Sequence, residues 1–267
     1  MRKSIASLIV IFLVSFYNPL KSQPADGLPL KLRVGTYNVG HFNQGKLGGY
    51  QGEDVQEEME RWRTWIGQQS MDIFMITEWN NGFDKDSTLN ATEALLKPFY
   101  NNIYFGKANT WIYNGIATNL ELKNLRQVDL THKEYYAIVG DLQIREKIIT
   151  IMSVHIPWQE CCHESSVDAL ISEMQKYEYV ICGGDMNAPN KNQRKFYDAG
   201  FNIANGGHEG WHCTAAKRCD NDDAFETCNI DNIITSKNIK IMNVSAPHTA
   251  LSNEDHWPIL ADVVVTW

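Results

Sequence analysis

Apolar and polar positions follow two rhythms along this chain. Runs rich in Val, Ile, Tyr and Thr, bounded by Gly, Asn, Asp or Pro, predict strands over 32–39, 72–77, 115–119, 135–144, 147–156, 179–183, 229–235, 239–244 and 259–267. Helical spacing predicts helices over 53–69, 88–96, 166–176 and 192–199. In the first helix Val55, Met59, Trp62 and Ile66 share one stripe, with Glu57, Glu58 and Arg61 elsewhere, so this stripe is expected to pack on a sheet. Many strands with a few helices between them predict a layered fold in which helices cover the outer faces of sheets. No repeat, low-complexity tract or Pro/Gly/Ser-rich linker divides the chain after its first residues, so 24–267 is expected to form a single domain.

The N-terminus breaks the pattern. Arg2 and Lys3 precede an apolar stretch from Ile5 to Tyr17, followed by Asn18-Pro19 and the small polar run Ser22-Gln23-Pro24-Ala25. That order is the order of a secretory signal peptide, here 1–23, and the apolar part is too short to span a bilayer. The protein is therefore expected to be exported, to the periplasm or the extracellular medium, with no transmembrane segment. Export changes the charge balance. The 24 basic and 32 acidic side chains of the whole chain become 21 and 32 once Arg2, Lys3 and Lys21 are removed, a net −11. Such a balance disfavours tight, nonspecific electrostatic binding of a polyanion unless bound metal or a local basic strip offsets it.

Six cysteines in an exported chain invite disulfides. Cys213, Cys219 and Cys228 crowd one polar loop, which predicts a Cys213–Cys219 or Cys213–Cys228 bridge. Cys182, inside an apolar run, is expected to be a buried free thiol. A zinc site with His163, His208 and His212 would be the alternative, but no C-x-x-C pair supports it.

The informative feature is where the strands stop. Tyr37-Asn38-Val39, Thr77-Glu78, Ser153-Val154-His155, Gly184-Asp185-Met186-Asn187, Ile230-Asp231-Asn232 and Glu254-Asp255-His256 each place an Asn, Asp, Glu or His at an apolar strand end. Such groups are rarely buried unless paired or liganded, so they are expected to converge. Phosphate-ester hydrolysis needs a cation against the phosphoryl oxygens, a base for water and donors that hold the phosphate. Glu78 and Asp255, assisted by Asn38, are hard oxygen ligands that suit magnesium, manganese or calcium better than zinc.

These six segments, in this order over nearly the whole chain after the signal region, resemble the endonuclease/exonuclease/phosphatase superfamily, which includes deoxyribonuclease I, exonuclease III and neutral sphingomyelinases. The resemblance rests on Tyr-Asn-Val at 37–39, Asp-Ile-Phe-Met-Ile-Thr-Glu at 72–78, Ser-Val-His at 153–155, Gly-Gly-Asp-Met-Asn at 183–187, Ile-Asp-Asn-Ile at 230–233 and Glu-Asp-His-Trp-Pro-Ile at 254–259. It implies an α/β fold, a four-layered α/β/β/α sandwich of two packed mixed sheets flanked by helices, with the site at one end. Glu78 would be the principal metal ligand, with Asn38 and Asp255 completing the metal environment around Mg2+, or Mn2+ or Ca2+. Asp185 and Asn187 would orient water and phosphate. His256 would be the active-site histidine held by Asp231, and His155 would contact phosphate or assist the leaving group.

The chain departs from the pattern at Thr77, where Gln is usual, and at Glu254, where Ser is common. Signatures of the inositol-polyphosphate 5-phosphatase branch are absent. Trp158 and Trp257 follow site motifs closely and are expected to line the substrate cleft. His41, His132, His163, His208, His212 and His248 fall in polar loops and are assigned to the surface or to the disulfide loop. The whole predicts an exported, monomeric, metal-dependent phosphodiesterase, first a nuclease for DNA or RNA. A sphingomyelinase, another phospholipase-C-like enzyme or a phosphatase is the alternative, and a catalytically silent binding module of the same fold is the third.

Overall fold

The structure, a computed structural model, describes residues 28–43, 48–106, 113–131, 135–207, 210–252 and 254–267. The expected signal peptide lies outside the described residues. Strands are numbered along the chain. One sheet runs in the order β11 (Ile239–Ser245), β12 (Ile259–Val265), β1 (Leu30–Asn38), β2 (Ile73–Trp79), β4 (Tyr113–Thr118), β3 (Asn102–Phe105). The other runs β5 (Leu122–Asp129), β6 (Tyr136–Ile144), β7 (Lys147–His155), β8 (Val180–Asp185), β10 (Asp231–Thr235), β9 (Asn202–Ile203). Each sheet holds one parallel pair, β1 with β2 and β7 with β8, and every other pairing is antiparallel.

A parallel pair needs a crossover. The helix α2 (Val55–Gln69) supplies it between β1 and β2, after a short turn α1 (Gly40–Asn43), and α3 (His163–Met174) supplies it between β7 and β8. Strand alternation then sorts the side chains into layers. Leu32, Val34, Ile73 and Met75 of the first sheet meet Ile149, Ile151, Ile181 and Ile233 of the second in the core between the sheets. On the outer face of the first sheet, Phe74 and Ile76 meet Met59, Trp62 and Ile66 of α2. On the outer face of the second, Met152, Val154 and Cys182 meet Val167 and Leu170 of α3, and Phe196 of α4 (Asn190–Asp198). This is the expected α/β/β/α sandwich of two mixed sheets flanked by helices.

The α2 stripe packs as expected, with two additions. Trp65 joins it, and Glu58, assigned to the polar side, is buried because it accepts hydrogen bonds from Ser252 and Arg61. Three strands escaped the pattern: β3 and β9 are short edges, and β5 is an edge strand whose side chains are largely exposed and polar. The helix expected over 88–96 shrinks to the single wide turn Thr92–Leu96, because Gly82 and Asn90 form a bridge first. A Cys213–Cys219 disulfide closes its loop, one of the two expected pairings, and Cys182 is a buried free thiol. Among the described residues no helix is long and apolar enough to cross a membrane.

Candidate active site

The inner-face alternation that builds the core also builds the site. On β7 the inward residues run Ile149, Ile151, Ser153, His155, and on β8 Ile181, Gly183, Asp185, so the core runs out into polar groups at the strand ends. His155 and Asp185 are register partners across the parallel pair, and Asp231 of β10 is the antiparallel partner of Asp185. Three site groups therefore stand side by side by strand register alone. Gly184 keeps β7 and β8 close, because a Cβ there would lie 1.7 Å from the Val154 carbonyl oxygen.

The first sheet delivers its groups differently. Asn38 ends β1 on the inner face and is the register partner of Thr77. By alternation Glu78 would point outward, toward α2. Instead the β2–β4 register shifts between Ile76 and Trp79, and Glu78 adopts a left-handed φ of 54°. The bulge re-aims the chain. Trp79 joins the outer aromatic cluster while Glu78 swings to the site.

Glu78 Oε1 accepts from Asn38 Nδ2 at 3.1 Å, and the same amide donates to Asp185 Oδ2 at 2.9 Å. His155 Nε2 lies 3.8 Å from Glu78 Oε1 and 3.5 Å from Asp185 Oδ2, and Asn187 Nδ2 reaches it at 3.1 Å. The acidic neighbours of His155, invisible in the sequence, are thus Asp185 and Glu78. Asn187, at φ 44°, also donates its backbone N–H to Asp185 Oδ1. His256 Nδ1 donates to Asp231 Oδ2 at 2.8 Å, and its Nε2 faces Asp185 Oδ2 at 3.8 Å.

Burial opposes charge on Glu78, but the hydrogen bond from His41 and the nearby imidazoles His155, His41 and His256 overcome it, and the carboxyl falls to about 2. Burial likewise opposes charge on His256, yet Asp231, Asp185 and Glu78 push it up to about 10. These carboxylates favour the protonated ring, which lies on Oδ2 of the fully buried Asp231, whose Oδ1 has no hydrogen-bond partner among the described residues.

Glu78, Asn114, Tyr135, Tyr136, His155, Trp158, Asp185, Asn187, Asp255 and His256 line a cleft of about 360 Å3. All the expected site residues except Trp257 lie in or beside it. Trp257 packs on His248, with ring centres 4.2 Å apart, and donates its indole N–H to Glu254, so it braces the loop rather than lining the cleft. Trp158 lines the cleft and is 69% exposed.

Carboxylates and imidazoles at the site gather in threes. Glu78, His155 and Asp185 offer ligand atoms within 4.8 Å of one another, and Asp185, Asp231 and His256 do the same. Asn38 is turned with its amide N–H toward both carboxylates and its Oδ1 on the Gly40 N–H. Asp255 opens on the cleft but pairs with Lys217 at 3.5 Å. The donor set fits a divalent cation, with two carboxylates and one imidazole converging on an open cleft. Two loop histidines were misplaced by their polar neighbours. His163 is buried and donates to the Pro157 carbonyl, and His41 sits 2.5 Å from Glu78 Oε2.

No family model matches the sequence, and no curated protein matches it. Solved structures do match. An endonuclease/exonuclease/phosphatase from Beutenbergia cavernae is 11% identical, covering 88% of this chain and 72% of its own, with a TM-score of 0.66. A Bacteroides thetaiotaomicron protein of the same family is 15% identical over 90% of this chain and 100% of its own, with a TM-score of 0.61. Danio rerio TDP2 complexed with a single-strand DNA product is 12% identical over 87% and 98%, with a TM-score of 0.64. The chain has the fold of the endonuclease/exonuclease/phosphatase superfamily.

Proposed function

We propose that this chain is an exported, single-domain, divalent-metal-dependent phosphodiesterase acting on DNA or RNA. The observation that carries the proposal is the convergence of Glu78, His155 and Asp185 beside the His256–Asp231 pair in one open cleft. A single-stranded DNA product bound by a protein of the same fold supports a nucleic-acid substrate.

Glu78, with Asp255 across the cleft, would hold the ion beside Asp185 and His155. A bound divalent ion supplies positive charge against the phosphoryl oxygens as negative charge builds there. The remaining roles belong to side chains. His256, kept protonated by its carboxylate neighbours, donates from Nε2 to a phosphoryl oxygen, while Asp231 fixes the ring through Nδ1. Asp185, held in place by the Asn187 N–H and the Asn38 amide, accepts the proton of the attacking water as its oxygen bonds to phosphorus, the ester P–O bond breaks and the leaving oxygen takes a proton from solvent. Asn187 and His155 bind the phosphate from the second sheet, and Trp158 offers a face for a base. Magnesium is the first choice of metal from the oxygen-rich donors, with manganese or calcium as substitutes.

The test is hydrolysis of plasmid DNA, single-stranded DNA, RNA and a small aryl phosphodiester by purified 24–267, with magnesium, manganese or calcium and with chelator. Chelator-sensitive cleavage of nucleic acid is expected. No cleavage of any of these overturns the proposal. The acidic balance and the exposed Trp158 favour one rival, headgroup release from phospholipid, which sphingomyelin vesicles in the same panel would detect.

A further inference from the structure

One polar contact at the site has no place in the roles above. His41 follows Asn38 by three residues, in the turn that leaves β1. Gly40, His41 and Phe42 all have left-handed backbones, with φ of 54°, 57° and 57°. For the two L-residues with side chains this conformation is costly, and such strain persists only where the surroundings over-determine it. Here they do. The Gly40 N–H is tied to Asn38 Oδ1, and the His41 carbonyl accepts from the Gly49 N–H. The Phe42 ring is buried edge-on against Trp62, Trp79 and Phe83 at 4.8–5.6 Å.

The effect of this anchoring is to aim the His41 ring at Glu78. Its Nε2 lies 2.5 Å from Oε2, with the side chain only 17% exposed. Glu78 itself sits on a left-handed, bulged backbone. Two strained segments, one from each strand of the parallel pair, therefore meet in one hydrogen bond. With His41 on Oε2 and Asn38 on Oε1, the carboxylate plane is fixed, and Oε1 is the oxygen facing His155 and Asp185.

We infer that His41 is a positioning residue of the metal centre, whose Nε2–H holds Oε2 of Glu78 so that the other oxygen is presented to the ion. The inference rests on the metal-dependent reading above. Outer hydrogen-bond partners of metal ligands typically govern 10–100-fold in metal affinity. Gln can reach the same oxygen with an amide N–H, whereas Ala cannot.

The test is direct Mn2+ binding, by calorimetry and by loss of the free-ion electron paramagnetic resonance signal, on the exported form of the protein. Wild type, His41→Ala, His41→Gln and Glu78→Gln are compared, each first shown by circular dichroism to be folded. His41→Ala is expected to weaken Mn2+ binding by about 10–100-fold. His41→Gln should stay within about threefold of wild type, a rescue that a merely structural role for His41 would not produce. Wild-type affinity in His41→Ala, or a His41→Gln as weak as His41→Ala, overturns the inference while leaving the metal-dependent reading intact. A wild type that binds no Mn2+ overturns both.

Discussion

The two sheets carry the same device and use it differently. Each joins one parallel strand pair by a helical crossover and presents the carboxyl ends of that pair to the cleft. In the second sheet, plain alternation and register suffice to set His155, Asp185 and Asp231 side by side. In the first, alternation would send Glu78 the wrong way, and a bulge, a left-handed residue and a buttressing histidine bring it back. The lesson concerns division of labour. The regular sheet supplies the histidine and amide groups that would hold phosphate, and the distorted one supplies the carboxylate with the lowest proton affinity resolved at the site. A strained residue held by a packed aromatic shell is where a cation's geometry can be specified most tightly.

Substitutions that strike one sheet's contribution at a time can break that comparison. The largest effect is expected at Glu78. Glu78→Gln should lower kcat/KM on a phosphodiester by about 10^3-fold, roughly 4 kcal/mol. A steady-state assay that finds less than a tenfold loss would move the cation away from the first sheet. His256 links the sheets, since it precedes β12 in one and is held by β10 of the other. His256→Ala leaves the buried Asp231 carboxylate unpaired and should cost roughly 3–4 kcal/mol in urea unfolding, in addition to activity. Near-wild-type stability would mean that the two sheets do not depend on this pair.

The same pair predicts a pH dependence. His256 is raised from 6.5 to about 10 in the folded chain, so its contribution to stability is fully present below about pH 6.5 and is lost as pH rises through about 10. Urea midpoints measured from pH 7 to 10.5 should fall for wild type and fall less for His256→Ala. Parallel slopes would count against the pair as their source.

In the second sheet, Gly184→Ala forces a methyl onto the Val154 carbonyl and should cost roughly 2–3 kcal/mol by thermal unfolding, because β7 and β8 must separate. The smallest effect is expected at Trp158. Being exposed, Trp158→Ala should leave Tm within about 1 °C, while KM for single-stranded DNA rises by about 5–10-fold, a lost stacking contact of roughly 1 kcal/mol. An unchanged KM would remove Trp158 from substrate binding.

Much of this was legible in the sequence where periodicity and chemistry coincide. Apolar runs that end in His155 or Asp185, or open with Asp231, announce both a strand and what stands at its end. Glu78 was legible as a residue but not as a geometry, since no local pattern encodes a bulge that depends on the packing of Trp79. His41 was hidden by its polar neighbours, because the anchoring of Phe42 against Trp62, Trp79 and Phe83 joins residues far apart in the chain. Trp257 misled for a related reason. Proximity to Asp255 and His256 in sequence does not fix direction, and its indole serves Glu254 instead. The edge strands β3, β5 and β9 lack the two-sided burial that would have marked them.

The place of β12 has a consequence in time. This strand lies C-terminal to every other described strand, yet it inserts between β11 and β1, and the segment just before it carries Asp255 and His256. A nascent chain that has already folded its second sheet still has Asp231 without its histidine and a first sheet split at β1. Until β12 is added, the Asp231–His256 pair cannot form and the gap between β11 and β1 stays open.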